Sequence, residues 1–430
     1  SRCSSHTDSK KTIYPKTRRC ILKYCLFGYL LMGLLSPIQA QDIMPTAKER
    51  AKQNRKKRVI LFDNDLRAKE LAPETVVMDT VVADSLAASQ PKVDSTDIRL
   101  AFLLPLHADA IKRDKNMDRF YDFYAGALIA IYEQQQKGLP MEIFTYDVGK
   151  TALRTSEVLQ QHPEIHQVDA VVGPAYAQQV SIVLDSLQQD SIWVMIPFLS
   201  RVKNIDTKPF VMKFNPSEKI EADTLARYLA QRTDSINCVL VEAKAGEVIP
   251  SGIKALHQAL KKHQVPTSSV SLKAILIDSI EGAFLPEKEN IVVFNTERYA
   301  NLQTVIPHLL KACGTYRITL FSHYSWQDEK IILPQLYTSV FTPQPTVSED
   351  YEELFEQYFD HELSSYQPRY DLLGYDLTNQ LLEMLIQQKH NNDSTTMLND
   401  IWTGTQANIH YQPTAPEGGY ENHIVHIIHQ

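Results

Sequence analysis

Beyond residue 25 the chain has only two cysteines, Cys238 and Cys313. A disulfide scaffold is thereby excluded, and a chain of 430 residues does not need one. No apolar run reaches the roughly twenty residues that span a bilayer. There is no G-x-S-x-G nucleophile elbow and no Walker loop. Nor does any histidine pattern point to a metal. His162 and His166 flank Pro163 in a polar stretch. His423, His426 and His429 fall on a strand-like tail, where a three-residue step alternates faces and separates the rings. No catalytic residue, metal ligand or cofactor is therefore assigned, and the chain is expected not to be an enzyme.

Positive charge is scarce where it would matter. Residues 1–40 hold seven Lys/Arg and one acid, which leaves 37 basic and 50 acidic residues for 41–430, a net of −13. A body this acidic is a poor candidate for phosphate-backbone binding, and no nucleic-acid partner is assigned. The basic excess sits at the amino end. Lys16, Arg18, Arg19 and Lys23 precede an apolar run over 24–35, which Ser36-Pro37 ends and Ala40 follows. The pattern predicts a secretory signal peptide over 1–40, with a transmembrane anchor as the alternative. Residues 41–97 read as a polar tether. Their basic run, 48–58, is suited to an anionic membrane or cell-wall surface, or is a solvated charged helix. Export places the protein in the periplasm or cell envelope.

From residue 98 the pattern is regular. Apolar runs occur at 98–106, 141–148, 169–173, 192–199, 236–243, 274–278, 290–295, 317–322 and 336–342. Helical periodicity marks 118–137, 175–189, 217–231, 251–263, 299–313, 348–361 and 371–389, and 409–411 and 422–428 read as closing strands. Strands that alternate with helices argue for parallel sheets covered on both faces. The centre of the pattern is Asp169-Ala170-Val171-Val172-Gly173-Pro174, a strand stopped by a turn that opens a helix. The fold class is α/β, with two doubly wound parallel-sheet lobes and an inter-lobe cleft. Lobe I covers about 98–212 and part of 343–390, and lobe II about 213–340 and part of the tail. The chain is expected to cross between them near 210–215 and 340–345. Cys238 and Cys313 are expected as buried small hydrophobes, with a disulfide between them left open, and Trp193 and Trp326 as core.

Several stretches, in this order, resemble a family. Residues 98–106 with Tyr124-Ala125-Gly126-Ala127, then Tyr146-Asp147, Ala170-Val171-Val172-Gly173-Pro174 and Ile196-Pro197, are similar to the first lobe of type I periplasmic binding proteins. That group is typified by branched-chain amino acid receptors. Phe214-Asn215-Pro216-Ser217, Tyr366-Gln367-Pro368 and Gly374-Tyr375-Asp376 resemble its crossing and its late return. The flavour is that of cell-envelope proteins of Bacteroidetes-like bacteria. The resemblance implies a hinged cleft for a small polar ligand, an amino acid or a related compound. Strand ends supply the candidate ligand-binding residues: Asp147, Tyr176, Ser200, Glu242, Asn295, Tyr375 and Asp376. Asp147 is alternatively a cap for the helix after it, and Tyr375 a packing residue. Where amino acid receptors carry small hydroxyl residues, this chain has Ala175, Tyr176 and Ala177, then Phe198 and Leu199. This keeps open a second reading, a scaffold or regulator of peptidoglycan synthesis whose partner is an envelope protein.

Overall fold

The computed structural model describes residues 97–107, 117–243, 246–272, 280–326, 329–343, 345–359, 368–391, 398 and 400–430. The signal peptide, nearly all of the tether, the strand expected at 274–278 and Tyr366-Gln367 lie outside the described residues. The chain divides into two compact units. Unit 1 holds the described residues up to Gly149 and those from Val347 to Asn379; unit 2 holds Lys150–Thr346 and Gln380–Gln430. Strands form two mostly parallel sheets, of seven and six strands.

In unit 1, β1 (Ile98–Leu104) and β2 (Met141–Asp147) pair in parallel, and Leu100 to Leu104 are fully buried. A strand covered on both faces has to be apolar at every position. The helices are α1 (Asp118–Gln136), α7 (Glu349–Tyr358) and the first part of α8 (Tyr370–Asn391). Ser348 caps α7 by accepting from the Tyr351 N–H. Helices α1 and α8 meet backbone to backbone. A Cβ on Gly126 would fall 1.7 Å from the Asp371 carbonyl oxygen, and one on Gly374 would fall 1.8 Å from that of Phe123. Only glycine fits at either place. Beside this contact a buried polar group closes the packing. Tyr351 Oη donates to Asp371 Oδ2 at 2.9 Å, and Arg369 donates to both Asp371 oxygens at 3.1 and 2.6 Å.

In unit 2 the larger sheet contributes β3 (Ala170–Val172), β4 (Trp193–Ile196), β5 (Val211–Lys213), β13 (Tyr411–Pro413) and β14 (Tyr420–Asn422), in the order β13-β14-β5-β4-β3. Helices α2 (Ala152–Gln161) and α3 (Ala177–Leu187) belong to this part. The end of α8 docks here: Trp193 Nε1 donates to Gln388 Oε1 at 3.1 Å, and Lys389 lies 3.0 Å from Asp169. The smaller sheet contains β6 (Ile236–Glu242), β7 (Thr267–Ser271), β8 (Glu289–Phe294), β9 (Arg317–Phe321), β10 (Gln335–Ser339) and β15 (His426–His429), in the order β15-β10-β9-β8-β6-β7. Strand alternation sorts its side chains into two cores. Cys238, Ile291, Val293 and Leu336 meet helices α4 (Glu218–Ala230) and α5 (Ser251–Lys262) through Leu225, Leu229, Leu256 and Leu260. Val239, Val241, Val292, Phe294 and Leu320 meet α6 (Ile306–Ala312) through Ile306 and Leu309. A short hairpin, β11 (Trp402–Thr403) with β12 (Asn408–Ile409), lies in the tail.

Four features depart from expectation. Residues 211–213 form β5, a ladder strand, where the chain was expected to be crossing already. β7 is polar, with alternate residues exposed, as an edge strand allows. The helix expected over 299–313 is a single 3-10 turn at Tyr299–Asn301 followed by α6, because Pro307 has no N–H and suits only a first turn. Cys313 is exposed, whereas Cys238 is buried with its thiol pushed up to about 12 by desolvation; both are free thiols. Trp193 and Trp326 are core residues.

Candidate functional site

Parallel sheets gather loops at their carboxyl ends, and the smaller sheet of unit 2 does so around a cavity of about 450 Å³. It is lined by Gly246, Glu247, Val248, Pro250, Thr296, Glu297 and Arg298, from the loops after β6 and β8. Asn295 separates these loops at their root: its Oδ1 accepts from the Ala243 N–H at 3.0 Å, and its own N–H donates to the Val241 carbonyl at 2.9 Å. The wall is held from behind. Asn301 Nδ2 donates to Glu247 Oε2 at 2.7 Å and to Thr296 Oγ1 at 3.1 Å.

Charge collects beside the cavity. The Glu297 carboxylate stands 3.6 Å from His323 Nε2, and its backbone carbonyl accepts from Trp326 Nε1 at 2.7 Å. Burial pushes the His323 imidazole below its ordinary value, against the pull of Glu297 and Glu218. Gly252, in the first turn of α5, separates two acids: a Cβ there would lie 3.7 Å from the Glu218 carboxyl carbon and 3.9 Å from Glu297 Oε1. Arg201, exposed in the loop after β4, donates to Glu218 and to the Ser251 hydroxyl, the first residues of α4 and α5. A loop of the larger sheet thus reaches the helix amino ends of the smaller one.

The residues singled out from the sequence are placed as follows. Asp147 Oδ1 accepts from the Leu106 and Gly149 N–H groups, both at 3.0 Å, so it ties the β1 and β2 turns together. It does not cap α2; Thr151 does, by accepting from the Arg154 N–H at 3.2 Å. Tyr375 Oη donates to Glu133 Oε2 at 2.7 Å, and its ring meets Tyr351 edge-on at 4.9 Å. Burial and the Glu133 contact push its phenol up. Asp376 is buried in α8. In unit 2, the Tyr176 N–H donates to buried Gln179 at 3.2 Å. The Ser200 carbonyl accepts from Lys213 Nζ at 2.8 Å. Glu242 accepts from the Ser271 hydroxyl of β7, its partner in register. Of the seven, Asn295 lies at the root of the cavity and Glu242 ends the strand whose loop lines it. Ser200 adjoins Arg201.

Sequence reasoning missed Thr296, Glu297, Arg298 and Glu247, as well as Lys213 and Glu421. The first three directly follow Asn295, so reading the polar tripeptide past that strand end would have found them. His162 and His166 pair with Glu164 and Asp190, and His429 with Tyr228. Among the described residues no three His, Cys, Asp or Glu side chains are grouped to hold a metal. Among them no helix is long and apolar enough to cross a membrane.

The architecture is that of the two-lobed α/β proteins of periplasmic-binding-protein type I. Solved structures similar to it include substrate-binding proteins of ABC transporters. An ABC transporter substrate-binding protein from Desulfitobacterium hafniense, in complex with Leu, matches at TM-score 0.50 with 18% identity, over 78% of this chain and 97% of its own. A branched-chain amino acid ABC transporter periplasmic ligand-binding protein from Burkholderia xenovorans matches at TM-score 0.53 with 11% identity, over 77% of this chain and 89% of its own. An ABC-type branched-chain amino acid transporter protein from Rhodopseudomonas palustris matches at TM-score 0.56 with 9% identity, over 77% of this chain and 91% of its own. No protein-family model matches the chain, and no curated protein matches it by sequence.

Proposed function

We propose that the chain is an extracytoplasmic two-lobed binding protein for a small polar ligand, without catalytic activity. The observation that carries this is the cavity at the carboxyl ends of β6 and β8, walled by Thr296, Glu297 and Arg298. A volume of about 450 Å³ suits a small molecule, and mixed hydroxyl, carboxylate and guanidinium walls suit a polar one. The D. hafniense structure holds Leu, so amino acids and their derivatives are the class to test. In this reading residues 1–40 direct export and 41–97 tether the binding domain. Lobe I is then about 98–212 with part of 343–390, and lobe II about 213–340 with part of the tail. Within unit 2, Asn295 and Glu242 support the site from the strand ends, and their loop neighbours Thr296 and Glu297 face the ligand.

The test is thermal unfolding across a panel of amino acids, small peptides and amino sugars. At about 100 times Kd a ligand of the folded state adds about 2.7 kcal/mol of stability. A compound that raises Tm in the parent and less in Glu297→Gln supports the reading. No shift with any compound at millimolar concentration overturns it.

A further inference from the structure

Strands β5 and β14 are parallel neighbours in the larger sheet, and from both the chain passes to the smaller one. Residues 214–217 lead from β5 into α4, and residues 423–425 lead from β14 into β15. Lys213 and Glu421 are partners in register near the ends of these strands. The Lys213 side chain is 2% exposed. Its Nζ donates to Glu421 Oε1 at 2.7 Å, to the Ser200 carbonyl at 2.8 Å and to the Asn215 carbonyl at 2.8 Å. All three ammonium protons are thereby used. The same Glu421 oxygen accepts from the Ser217 N–H, at the N-cap of α4. The Ser217 hydroxyl makes no capping bond of its own. Next to Glu421, fully buried Asn422 accepts from the His410 and Ile424 N–H groups at 2.9 and 3.1 Å. One ion pair therefore holds the root of both crossings, and through Ser200 the loop that carries Arg201.

The choice of a charged pair here is informative. Desolvation pulls the Lys213 pKa down and Glu421 pulls it back. Apolar residues of similar volume would give comparable stability without that desolvation. What they would not give is direction: an apolar contact slides, whereas charge-assisted bonds to fixed carbonyls and one N–H do not. Hinges are a few residues at element ends that absorb dihedral change. Between Lys213 and Ser217, Pro216 has a fixed φ and Asn215 is held through its carbonyl.

We propose that the Lys213–Glu421 pair is a brace that makes two crossings between the sheets of unit 2, at 214–217 and 423–425, turn as one pivot, and so sets the angle between the two sheets. Its consequence for ligand closure rests on the binding-protein reading, but the brace is tested without ligand, so either can fail alone. Dyes are placed on native Cys313 and on Leu153→Cys in the full chain carrying Cys3→Ser, Cys20→Ser and Cys25→Ser. Cys238 is buried and takes no label, and Leu153 is 70% exposed in α2. Single-molecule distances are compared between the parent and Lys213→Met/Glu421→Leu, which removes both charges of the pair together. The expected result is a distance distribution at least twice as wide in the double variant, with Tm close to the parent. The parent width in a folded double variant overturns the proposal. If the double variant does not fold, Glu421→Gln decides, since it keeps the acceptor for Ser217 and removes the charge. A broader distribution is then expected, and an unchanged one overturns the brace.

Discussion

In unit 1, helices α1 and α8 approach until the backbone of each fills the space a Cβ would need on the other, at Gly126 and Gly374. In unit 2, the loops after β6 and β8 keep apart around an open cavity, and Gly252 beside it has room for a Cβ. Both regions contain glycine, buried hydrogen bonds and carboxylates. They differ in where the polar groups go. In unit 1 the Asp371 carboxylate is consumed by Arg369 and Tyr351, so the contact is sealed. In unit 2 Glu297 keeps one face toward the cavity, with His323 at 3.6 Å behind it. A glycine motif therefore marks function only where space is left over after packing. Gly374-Tyr375-Asp376, legible as a family motif, is accounted for first by helix contact.

The sharpest way to break this comparison is to fill both kinds of glycine. Gly374→Ala places a methyl 1.8 Å from a backbone oxygen that has no rotamer to escape by, and Gly126→Ala does the same at 1.7 Å. Each is expected to cost about 3 kcal/mol or more in urea unfolding, or to prevent folding. Gly252→Ala is expected to be neutral or stabilising by up to about 1 kcal/mol, since Ala is the better helix former. Equal costs at Gly374 and Gly252 would show that the contrast is not one of space.

The second prediction concerns a carboxylate that packing has left half-buried. Desolvation raises Glu221 to about 7; Glu218 adds to the shift, while the Thr338 hydroxyl and Lys213 oppose it. The folded chain then holds a proton between about 4.5 and 7 that the unfolded chain has lost, so this group's contribution falls as pH rises through that window. Glu221→Gln is expected to gain on the order of 2 kcal/mol over the parent at pH 8 and almost nothing at pH 4. Urea midpoints at both pH values check it, and the slopes of other groups cancel in the difference. A gain that is equal at both pH values would mean that Glu221 titrates in the folded chain as it does in the unfolded one. Next in size is Tyr351→Phe, which removes a bond to a buried carboxylate and is expected to cost about 1.5 kcal/mol. A neutral result there would mean that Arg369 alone satisfies the Asp371 carboxylate.

Sequence pattern carried the parallel strands well, because Leu100–Leu104, 170–172 and 291–294 are apolar at each position. It carried α4, α5, α7 and α8 to within a few residues, through periodicity. It missed β5, three residues ending in a lysine, because only the structure shows that Glu421, 208 positions away, receives that lysine. It missed α2, whose sequence ALRTSEVLQQ buries only Thr155, Val158 and Leu159. The candidate site was legible only at its roots. Asn295 was named, and the polar Thr296-Glu297-Arg298 directly after it was the signal left unread, while Glu247, in the loop after β6, carries no such signal.

The smallest expected effect is at Arg201, the exposed side chain that reaches from the loop after β4 to Glu218 and Ser251. Its side chain is 64% exposed and that of Glu218 is 32% exposed, so solvent screens the pair. Arg201→Ala is expected to change urea stability by less than about 1 kcal/mol, and less still in high salt. If Arg201 only ornaments the surface, its loss leaves ligand-induced Tm shifts as they were. If it stands at the rim of the site, the shift changes although the protein without ligand does not. That separation of stability from binding would place unit 2's open strand ends, rather than unit 1's sealed helices, at the centre of the chemistry.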